Sequence, residues 1–566
     1  MIFYDFEVFK YDWLVVIADM DARKKHVIIN DAERLRDFYE AHKNDIWCGY
    51  NSRSYDQFIL KAILLGFDPK KVNDWIILSG KSGWQYSSWM NKYPVLNYDV
   101  MTSMHSLKQL EGFMGNNIRE TSVSFDIDRK LTPQEIADTV KYCESDVDNL
   151  IEVFIERIEE FNSALDLIKT FDLSIDCISK TKAQMSAIIL GCTKQPRDDE
   201  WDISIVNTLK LSKYDFVREW FLNNRGDYTK NLTATVAGVP HQFGWGGLHG
   251  AREKYRGSGL ILHVDVNSYY PSLMIEYDLL TRNCKEPQKF KEIYDKRLAL
   301  KKAGKKKEQA PYKIVLNSTY GICKDKYSLA YDPRQANNVC INGQLLLLDL
   351  IEKLEAINGF ELIQSNTDGL IVKIPNTDAA FTQADDICYE WEQRTRMGLS
   401  FDFIEKIVQK DVNNYIFIDD HGKLECKGAY VKQTSKLDND MPILNKALVD
   451  YMAYDVPIEE TINGCDELIQ FQKIVKVSSK YVAGVYNGVV QSDRTFRVFA
   501  STDANDGYIG KIKAVGATVE KFANTPDNCF ILNGEVNGVK IPSRLNKQWY
   551  IDLAKKRLRD YGVEIT

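Results

Sequence analysis

Hydrophobic and polar residues alternate with the period of a β-strand near the start of the chain. Residues 2–9 and 13–17 follow this pattern, and a third strand is predicted near residues 25–29. The pattern then changes to the longer period of an α-helix around residues 32–42 and 55–65. The sequence therefore predicts a sheet at the N-terminus that is followed by helices.

Two helices carry sequence markers at their ends. The first is predicted to begin after Thr132, a capping residue that is followed directly by a proline and, three residues after the cap, by Glu135. The second is predicted over residues 545–561, with Ser543 as its cap and Gly562 at its end. These markers define helix ends, which periodicity alone does not.

Residues 161–240 carry no recognisable motif, and we expect them to bridge two domains. A strand at 260–265 precedes two helical stretches that are separated by Gly304. Residues 360–372 alternate around a tight polar tip, which is typical of a β-hairpin. This order of elements predicts a second region of mixed α and β structure.

The composition is that of a soluble globular protein, because 44% of the 566 residues are hydrophobic and 27% are charged. A chain of this length is expected to fold into several domains. The sequence contains no apolar run of the roughly 20 residues that a membrane span needs, and its start does not resemble a signal peptide. Eleven cysteines without a CxxC pair argue against a disulfide framework or a zinc module. We therefore expect a cytoplasmic monomer without a membrane partner.

The net charge of −7 is unevenly distributed along the chain. Residues 285–313 contain eleven Lys or Arg and four Asp or Glu, a local excess of +7. Such a run is most often a solvated helix face, but a basic segment can also attract phosphate groups. Its position between the motifs described below favours the second interpretation.

Acidic residues near the N-terminus form the first candidate site. Asp5 and Glu7 lie two positions apart on the first predicted strand, so both side chains leave the same face. Two such carboxylates repel each other unless a cation or a proton lies between them. An isolated pair of this kind is usually a solvated strand edge. Here Asn51 and Asp56, at the opening of a predicted helix, add an amide and a further carboxylate.

Tyr142 and Asp146 complete this set, because a spacing of four residues puts both on one face of a helix. Hydrolysis of a phosphodiester uses a pair of divalent cations about 4 Å apart, and hard oxygen ligands suit Mg²⁺ or Mn²⁺. The order DxE, NxxxYD and YxxxD resembles the DnaQ-like 3′→5′ exonucleases, which have an RNase H-like fold. The predicted catalytic residues are Asp5, Glu7, Asp56, Asp146 and Tyr142, of which Asp5, Glu7 and Asp146 are the expected metal ligands.

A second set of motifs flanks the basic segment. Asp265 follows an apolar strand and begins the run DVNSYYP. Lys313, Asn317 and Tyr320 share one face of a predicted helix, and Asp368 lies at the tip of the predicted hairpin. In this order the motifs resemble DxxSLYP, KxxxNSxYG and the DTD hairpin of the family B DNA polymerases. The exonuclease-like motifs precede them, as they do in that family.

The resemblance implies a role for each matching residue. Asp265 and Asp368, with the Val266 carbonyl, would hold a pair of Mg²⁺ ions, for which Mn²⁺ is an alternative. Tyr270 matches the tyrosine that packs under the incoming sugar and excludes a 2′-hydroxyl. The basic segment would form the fingers. The residues that would bind the dNTP or line the nascent base pair are Tyr270, Arg297, Lys301, Lys313, Asn317 and Tyr320.

Weaker matches indicate contacts with primer–template DNA. Ser106 and Leu107 resemble a short exonuclease motif that holds single-stranded primer, although the same run is equally a helix start. A pair of glycines matches the end of a YxGG motif, in which Gly244 replaces the tyrosine. The predicted DNA contacts are Asn51, Ser106, Leu107, Gly246, Gly247, Tyr415 and Lys427.

Three departures from the resembled patterns bear on activity. Asn366 replaces the first aspartate of the DTD hairpin, which removes a negative charge but keeps an oxygen ligand. Asn413 replaces the lysine of a KxY motif, and no lysine lies beside residues 125–128, where related nucleases carry one. We expect synthesis to survive the change at Asn366, because the second aspartate of the hairpin is the direct ligand. The rate of the exonuclease stays open.

The resemblance implies an RNase H-like exonuclease followed by a right-hand polymerase, in a multidomain chain of α/β and α+β class. The predicted domains are an exonuclease at 1–165, a connecting region at 166–262, palm segments at 263–284 and 322–440 on either side of fingers at 285–321, and a thumb at 441–566. Asp265 and Lys313 are 48 residues apart, and Lys313 and Asp368 are 55 apart. These intervals leave little room for the insertions of protein-primed relatives, so we expect modest processivity and a compact bacteriophage type.

Three functions stay open from the sequence. The first is a proofreading DNA polymerase, with primer–template DNA and dNTPs as substrates and accessory replication proteins as partners. The second is a 3′→5′ exonuclease whose polymerase half is impaired by Asn366. The third is a non-catalytic DNA-binding replication factor. The carboxylate sets disfavour the third, because unpaired buried carboxylates are costly.

Overall fold

A computed structural model describes residues 1–564, in which helices and mixed sheets form two units. The first unit comprises Met1–Lys180, Thr434–Ile443 and Asn463–Tyr550. The second comprises Thr181–Gln433, Leu444–Ile462 and the chain from Ile551 onward. Within residues 1–564, no helix has both the length and the apolar character that crossing a bilayer requires.

The first 180 residues of unit 1 form a sheet with helices around it. Its strands are β1 (Ile2–Val8), β2 (Trp13–Asp19), β3 (Lys24–Ile29), β4 (Trp47–Gly49) and β5 (Asn97–Asp99), in the order β3-β2-β1-β4-β5. Its helices are α1 (Ala32–Ala41), α2 (Asp56–Leu64), α3 (Pro69–Ile77), α4 (Ser88–Lys92), α5 (Leu107–Met114), α6 (Pro133–Glu156) and α7 (Ile158–Thr170). The strands and helices that periodicity predicted here are confirmed.

Strand β1 lies in the middle of this sheet. It pairs antiparallel with β2 and parallel with β4, and α6 packs against it. Its apolar residues, such as Tyr4 and Phe6, belong to the core. The intervening Asp5 and Glu7 are carried to the other face, as the two-residue period requires. The predicted cap of α6 is confirmed, since Thr132 and Glu135 form a reciprocal capping box.

Unit 2 is built on a long antiparallel sheet. Its helices are α8 (Lys182–Ile189), α9 (Asp215–Asn223), α10 (Tyr269–Glu276), α11 (Pro287–Lys302), α12 (Lys306–Lys324), α13 (Pro333–Leu354) and α14 (Asp378–Thr395). Its strands are β6 (Leu232–Val236), β7 (Val239–Phe243), β8 (His249–Ala251), β9 (Tyr255–Val266), β10 (Glu361–Asn366), β11 (Gly369–Lys373), β12 (Leu399–Asp411), β13 (Asn414–Asp419) and β14 (Leu424–Lys427). They pair in the order β14-β13-β12-β9-β11-β10-β8-β7-β6.

The elements predicted in the middle of the chain are confirmed. The strand at 260–265 is part of β9, and the predicted hairpin is β10–β11 with register pairs up to Asn366 and Gly369. The two helical stretches are α11 and α12, which contact each other. Gly304 separates them at φ +70°, a left-handed conformation that glycine adopts without strain.

The last part of the chain contributes to both units. Its helices are α15 (Pro442–Tyr454), α16 (Ile458–Gly464) and α17 (Lys547–Asp560). Its strands are β15 (Lys473–Lys476), β16 (Ala483–Tyr486), β17 (Val489–Gln491), β18 (Thr495–Ala500), β19 (Ile509–Ile512), β20 (Glu520–Lys521) and β21 (Cys529–Ile531), in sheets ordered β15-β18-β21 and β17-β16-β19-β20. The residues of the predicted thumb, 441–566, are therefore divided between the units.

The predicted start of the last helix was wrong by a few residues. The side chain of Asn546, and not that of Ser543, accepts a hydrogen bond from the N–H of Trp549, at 3.1 Å. Asparagine and serine are about equally good N-caps. Asn546 directly precedes the first residue of the helix, Lys547, and therefore acts as the cap in place of Ser543. Gly562 follows the helix at φ +71°, as predicted.

A buried arginine ties α5 to β18 within unit 1. The side chain of Arg497 is fully buried, which lowers its pKa to about 10. Its guanidinium donates to the backbone oxygens of Gly112, at 3.1 Å, and Asn116, at 2.7 Å, both near the C-terminal end of α5. It also donates to the side chain of Gln472 at 2.9 Å. Helix α5 is thereby held in place by charge-assisted hydrogen bonds.

Two candidate carboxylate sites

The predicted acidic residues of unit 1 lie together beside β1. Asp5 and Glu7 leave the same face of that strand, and Asp56 begins α2. One Asp56 oxygen accepts a hydrogen bond from the N–H of Phe6 at 3.2 Å, which brings α2 against the strand. Glu7 and Asp56 are buried, whereas Asp5 is half-buried.

Helix α6 supplies the other side of this group. The thiol of Cys143 donates to a carboxylate oxygen of Asp5 at 3.4 Å. One ligand atom each of Asp5, Glu7 and Cys143 lies within 4.8 Å of the other two. Asp146 and Tyr142 lie on the same helix, and Asp146 contributes to the raised pKa of both Asp5 and Glu7. Asp5, Glu7, Asp56 and Asp146, with Tyr142, are hereafter the buried cluster.

The carboxyl groups of the buried cluster bind protons unusually tightly. Burial, reinforced by Asp146, raises the pKa of Asp5 to about 7. Burial and the charge of Asp5 raise the pKa values of Glu7 and Asp56, and burial raises that of Asp146. Four carboxylates gathered away from water cannot all be ionised without a compensating positive charge. The arrangement favours a cation or protons between them.

Lys108 supplies part of that positive charge, and the sequence analysis did not single it out. It lies in the first turn of α5, and its ammonium group contacts a carboxylate oxygen of Asp146. The same ammonium lies 4.4 Å from the centre of the Tyr142 ring. Burial alone would lower the pKa of Lys108, but Asp146 and Glu111 raise it overall. The sequence has no lysine beside residues 125–128, where related nucleases carry one, but a lysine of α5 contacts the acidic residues.

Glu111 is the second residue of this site that was missed. It lies one turn after Lys108 and accepts from its ammonium at 3.0 Å. Its side chain is fully buried, and burial raises its pKa to about 8. A Lys–Glu pair three residues apart looks like an ordinary surface pair in a sequence. The apolar residues around Glu111 in the helix were the available signal that this pair is buried.

The predicted DNA contacts of unit 1 lie at the starts of two helices. Ser106 forms a reciprocal capping box with Gln109, and Leu107 is the first residue of α5. The helix-start interpretation of this run is therefore confirmed, while its contact with DNA stays a prediction. Asn51 is exposed in the loop before α2, with φ +59°.

In unit 2, Asp265 lies near the end of β9, and Asp368 lies in the turn of the neighbouring β10–β11 hairpin. Asp265 pairs with Gly369, and Asp368 directly precedes that glycine. The N–H of Val266 donates to the backbone oxygen of Asp368 at 2.9 Å. A Cβ on Gly369 would lie 2.9 Å from the backbone oxygen of Val264, so glycine is what allows this close approach. Asp265 and Asp368 are hereafter the open pair.

The open pair is less enclosed than the buried cluster. Asp265 is half-buried and Asp368 is exposed. Burial raises the pKa of Asp265 to about 6, and the negative charges of Asp368 and Asp402 contribute to this rise. The positive charge of Lys301 opposes it. Asp402 lies on the neighbouring strand β12 with a side chain that is 70% exposed, and the sequence analysis missed it. Its place between two phenylalanines in an alternating strand was the available signal.

Asn366, which replaces an aspartate of the resembled hairpin, is engaged within the turn. Its side-chain oxygen accepts from the N–H of Thr367 at 2.9 Å and lies 3.1 Å from Nδ1 of His249. Burial lowers the pKa of His249. The amide therefore stabilises the hairpin tip next to Asp368, and His249 is a further neighbour that the sequence did not reveal.

The basic segment places two of its predicted residues towards the open pair. Arg297 is buried in α11 and donates to the side-chain oxygen of Ser268, which lies between Asp265 and α10. Lys301, one turn later, is the cation that acts on Asp265. Lys313, on α12, is exposed, and the structure describes no contact between it and the carboxylates.

The predicted base-pair residues lie on α10 and α12. The ring centres of Tyr270 and Tyr320 are 4.5 Å apart. Burial raises the pKa of both phenols, so both remain neutral hydroxyl groups. Asn317 is exposed one turn before Tyr320. These residues form a partly apolar wall beside the start of α10.

The remaining predicted DNA contacts flank the hairpin. Gly246 and Gly247 lie between β7 and β8, and a Cβ on Gly247 would lie 3.2 Å from the hydroxyl of Thr367. Tyr415 of β13 faces Lys427 of β14, whose ammonium lies 5.7 Å from the ring centre. Burial raises the pKa of Tyr415, and the charge of Asp368 contributes.

Comparison with known proteins gives a fold likeness and little else. No protein family matches the sequence, and no curated protein does. Among solved structures, the family B DNA polymerase from the hyperthermophilic archaeon Pyrobaculum calidifontis is similar to this chain with 14% sequence identity and a TM-score of 0.43. The likeness covers 100% of this chain and 78% of that chain. At this level it says nothing about what this chain does.

Proposed function

We propose that this chain is a DNA-dependent DNA polymerase that carries its own 3′→5′ exonuclease, in a compact form suited to phage genome replication. The observation that carries the proposal is the open pair: one carboxylate near the end of β9 and one in the adjacent hairpin turn, with Lys301 acting on Asp265 and the Tyr270–Tyr320 wall beside them. The buried cluster supports the exonuclease. Primer–template DNA and dNTPs are the proposed substrates.

Both sites have donors that suit Mg²⁺, with Mn²⁺ as an alternative. Carboxylate oxygens are the hard ligands that these ions prefer. The pKa values of Asp5 and Asp265 are raised first by burial and then by neighbouring carboxylates, so each site gathers negative charge that a bound cation would offset. Asp5, Glu7 and Asp146 would hold ions in one site, and Asp265, Asp368 and the Val266 carbonyl in the other. Bound ions would activate the attacking oxygen and neutralise charge on the phosphates.

In the proposed synthesis, the protein's own residues position the incoming nucleotide. Lys301 and Arg297 lie one turn apart on α11, where cationic side chains would bind the triphosphate. The ring of Tyr270 would pack under the sugar and leave no space for a 2′-hydroxyl. Tyr320 packs against that ring, so it would hold Tyr270 in place.

In the proposed degradation, Tyr142 and Lys108 prepare the site. The Tyr142 hydroxyl, kept neutral by burial, would orient the attacking water by hydrogen bonding. Lys108 holds Asp146 in position and offsets part of the negative charge. The Cys143 thiol donates to Asp5, so it orients that carboxylate and is not needed as a ligand.

Separation of the two activities tests the proposal. Asp265→Asn should reduce primer extension by about 1,000-fold or more and spare degradation, whereas Asp5→Asn with Glu7→Gln should do the reverse. Both are measured on one labelled primer–template with Mg²⁺, with and without dNTPs. Loss of both activities in either variant, with the fold intact, would contradict the assignment of one activity to each site.

Sugar discrimination tests the role of Tyr270 separately. Tyr270→Ala should admit ribonucleotides, measured as the ratio of kcat/KM for dNTP to that for rNTP, while Tyr270→Phe should keep the discrimination. An unchanged ratio in Tyr270→Ala would exclude this role without touching the carboxylate assignment.

A second candidate function rests on Asn366. If the neutral amide at the hairpin tip impairs synthesis, the chain acts as a 3′→5′ exonuclease alone. Degradation without extension by the unmodified protein, together with extension by Asn366→Asp, would favour this candidate. If the protein shows neither extension nor degradation, the remaining candidate is a non-catalytic DNA-binding factor.

A further inference from the structure

A cavity of about 490 Å³ in unit 2 lies outside the site residues described above, apart from Gly246 at its edge. It opens where the C-terminal end of α12 meets the loop between β7 and β8. Its volume is within the roughly 300–1,000 Å³ of small-molecule sites. The lining includes Tyr228, Trp245, Gly246, Lys324, Lys326 and Tyr331. It also includes one carboxylate, Glu200, which accepts a hydrogen bond from the Tyr228 hydroxyl at 2.5 Å.

The cavity is lined by aromatic rings and by two exposed lysines. Trp245 is buried and is held edge-on by Trp201, with ring centres 4.8 Å apart. Tyr228 is 43% exposed, and its ring centre lies 5.7 Å from that of Trp245. Lys324 and Lys326 are exposed at the same cavity. Rings on which a base can stack, beside cations that attract a phosphate, are characteristic of single-stranded nucleic-acid sites.

The indole N–H of Trp245, a residue of the lining, has no hydrogen-bond acceptor among the described residues. That nitrogen atom is buried. A buried donor without a partner is rare, because leaving it unpaired costs about 1–3 kcal/mol. A ring nitrogen or carbonyl oxygen of a nucleobase is an acceptor of the required kind.

The cavity is connected to the proposed polymerase site by direct contacts. The Lys324 ammonium donates to the backbone oxygen of Trp245 at 2.6 Å and lies 5.4 Å from the ring centre of Tyr320. Tyr320 in turn packs on Tyr270. On the other side, the cavity reaches Gly246, next to the glycine that lies against Thr367 of the hairpin tip. The cavity therefore begins one helical turn from the wall proposed to line the nascent base pair.

We propose that this cavity holds one unpaired nucleotide of the template strand, just ahead of the nucleotide that is being copied. Its base stacks on Tyr331 and Tyr228 and accepts a hydrogen bond from Trp245, and its phosphate lies near Lys324 and Lys326. This inference rests on the proposed function. A triphosphate is a poorer fit, because two lysines at the rim cannot neutralise its charge without a metal site.

An abasic residue in the template tests the inference with the unmodified full-length protein. Binding is measured in EDTA, so that neither proposed activity consumes the DNA, by fluorescence anisotropy on a primer–template with four unpaired template nucleotides. We expect an abasic residue at the second unpaired position to weaken binding about tenfold, the size of one base–aromatic stack. The same lesion at the fourth position should have no effect.

A matched pair of variants assigns the effect to the cavity. Tyr331→Ala should weaken binding of the intact template about tenfold and add nothing when the second position is abasic, because the same stack is already lost. Tyr389→Ala is the control, since Tyr389 is 61% exposed on α14 and does not line the cavity. The abasic series needs no variant, so it remains decisive even if Tyr331→Ala does not fold.

The outcomes separate this inference from the proposed function. Two results, with binding and extension otherwise normal, would each overturn the cavity's role and leave the polymerase intact. One is that an abasic residue at the second unpaired position does not weaken binding by the unmodified protein. The other is that this lesion weakens binding by Tyr331→Ala as much as it weakens binding by the unmodified protein. Failure of the protein to bind primer–template DNA would overturn both.

Discussion

The buried cluster of unit 1 and the open pair of unit 2 use the same side chains in different surroundings. In the buried cluster, Glu7, Asp56 and Asp146 are each no more than 7% exposed, and Lys108 is enclosed with them. In the open pair, Asp368 is exposed, and Lys301, the cation that acts on Asp265, lies on a helix of the basic segment. The first site carries its own counter-charge, whereas the second is left open on one side.

This difference has consequences for stability and for substrate. A buried group of like charges destabilises the fold until protons or cations neutralise it. An open pair has little effect on the fold, because water screens its charges. The open pair can also admit a nucleotide that brings its own charge, which suits a site where the substrate completes the electrostatics.

The largest expected effect comes from Arg497, which supports only the buried site. Arg497→Met should lower the free energy of unfolding of unit 1 by about 3 kcal/mol or more. The backbone oxygens of Gly112 and Asn116, which accept hydrogen bonds from the Arg497 guanidinium, would lose their charged donor. Denaturant titrations that follow degradation and extension separately provide the measurement. Degradation should fail at a lower denaturant concentration than extension.

The control for this change is Lys540→Met, which removes an exposed ion pair with Asp466 in the same unit. It should change stability by no more than about 0.5 kcal/mol. An equally small effect for Arg497→Met would contradict the supporting role.

Lys108 gives the next largest effect. Lys108→Met should slow degradation about 100-fold, the usual cost of removing a group that orients a metal ligand, because Asp146 and Glu111 lose their shared cation. Extension should be unchanged. Lys108→Arg should restore part of the rate, and Lys71→Met, at an exposed position of α3, should have no effect. An unchanged rate of degradation in Lys108→Met would show that the contact between Lys108 and Asp146 does not contribute to catalysis.

Removal of a single charge should stabilise the buried cluster. In EDTA at pH 8, Asp56→Asn should raise the free energy of unfolding by about 1–2 kcal/mol, because the neutral amide keeps the hydrogen bond from Phe6 without the repulsion from Asp5. Degradation should be lost. Asp368→Asn, at the exposed position of the open pair, should leave stability unchanged. A loss of stability in Asp56→Asn would argue against repulsion in the cluster.

The same contrast predicts a pH dependence of the wild-type protein. A carboxyl whose pKa is raised on folding binds its proton more tightly in the folded state, so stability falls as the pH rises towards that pKa. Since the pKa of Asp5 rises from 3.8 to about 7 on folding, unit 1 should lose stability in EDTA as the pH rises from about 4 to 7, and this group should add no further loss above that. Addition of Mg²⁺ should reverse the loss. A stability that is independent of pH and of Mg²⁺ would show that the cluster is already neutralised.

The smallest effect is expected at the open pair. Asn366→Asp should change extension by no more than about threefold with Mg²⁺. Asn366 is half-buried beside the exposed Asp368, where an added charge is expected to be worth less than about 1 kcal/mol. Aspartate can also keep the hydrogen bond that Asn366 accepts from Thr367. Extension rates with Mg²⁺ and with Mn²⁺ provide the measurement. A change of tenfold or more would show that the hairpin tip is electrostatically as sensitive as the buried site.

Local patterns were enough to predict much of the fold. The alternation in β1, the capping box at Thr132 and Glu135, and the hairpin around Asp368 depend on neighbours within a few residues, and each is present as predicted. The cap of α17 was misplaced at Ser543, because several capping residues compete there and the packing of the helix selects among them. Domain boundaries and residue roles remain predictions.

Residues that act through distant neighbours could not be predicted in this way. Lys108 and Asp146 are 38 positions apart. The apolar residues around Glu111 indicate that this part of α5 is buried, but nothing local identifies Asp146 as a partner of Lys108 until α5 packs beside α6. Asp402 and His249 likewise join the open pair through strand order in the sheet. Strand order depends on the packing of the whole chain, which no local pattern records.

The order of amino acids alone specified which carboxylates share a strand face, where α6 begins, and where the hairpin turns, because backbone geometry repeats every few residues. The depth to which each carboxylate is buried, and the cation that accompanies it, were decided by tertiary packing. Charge is neutralised by whatever lies nearest in space, and nearness in space is set when the sheets and helices come together.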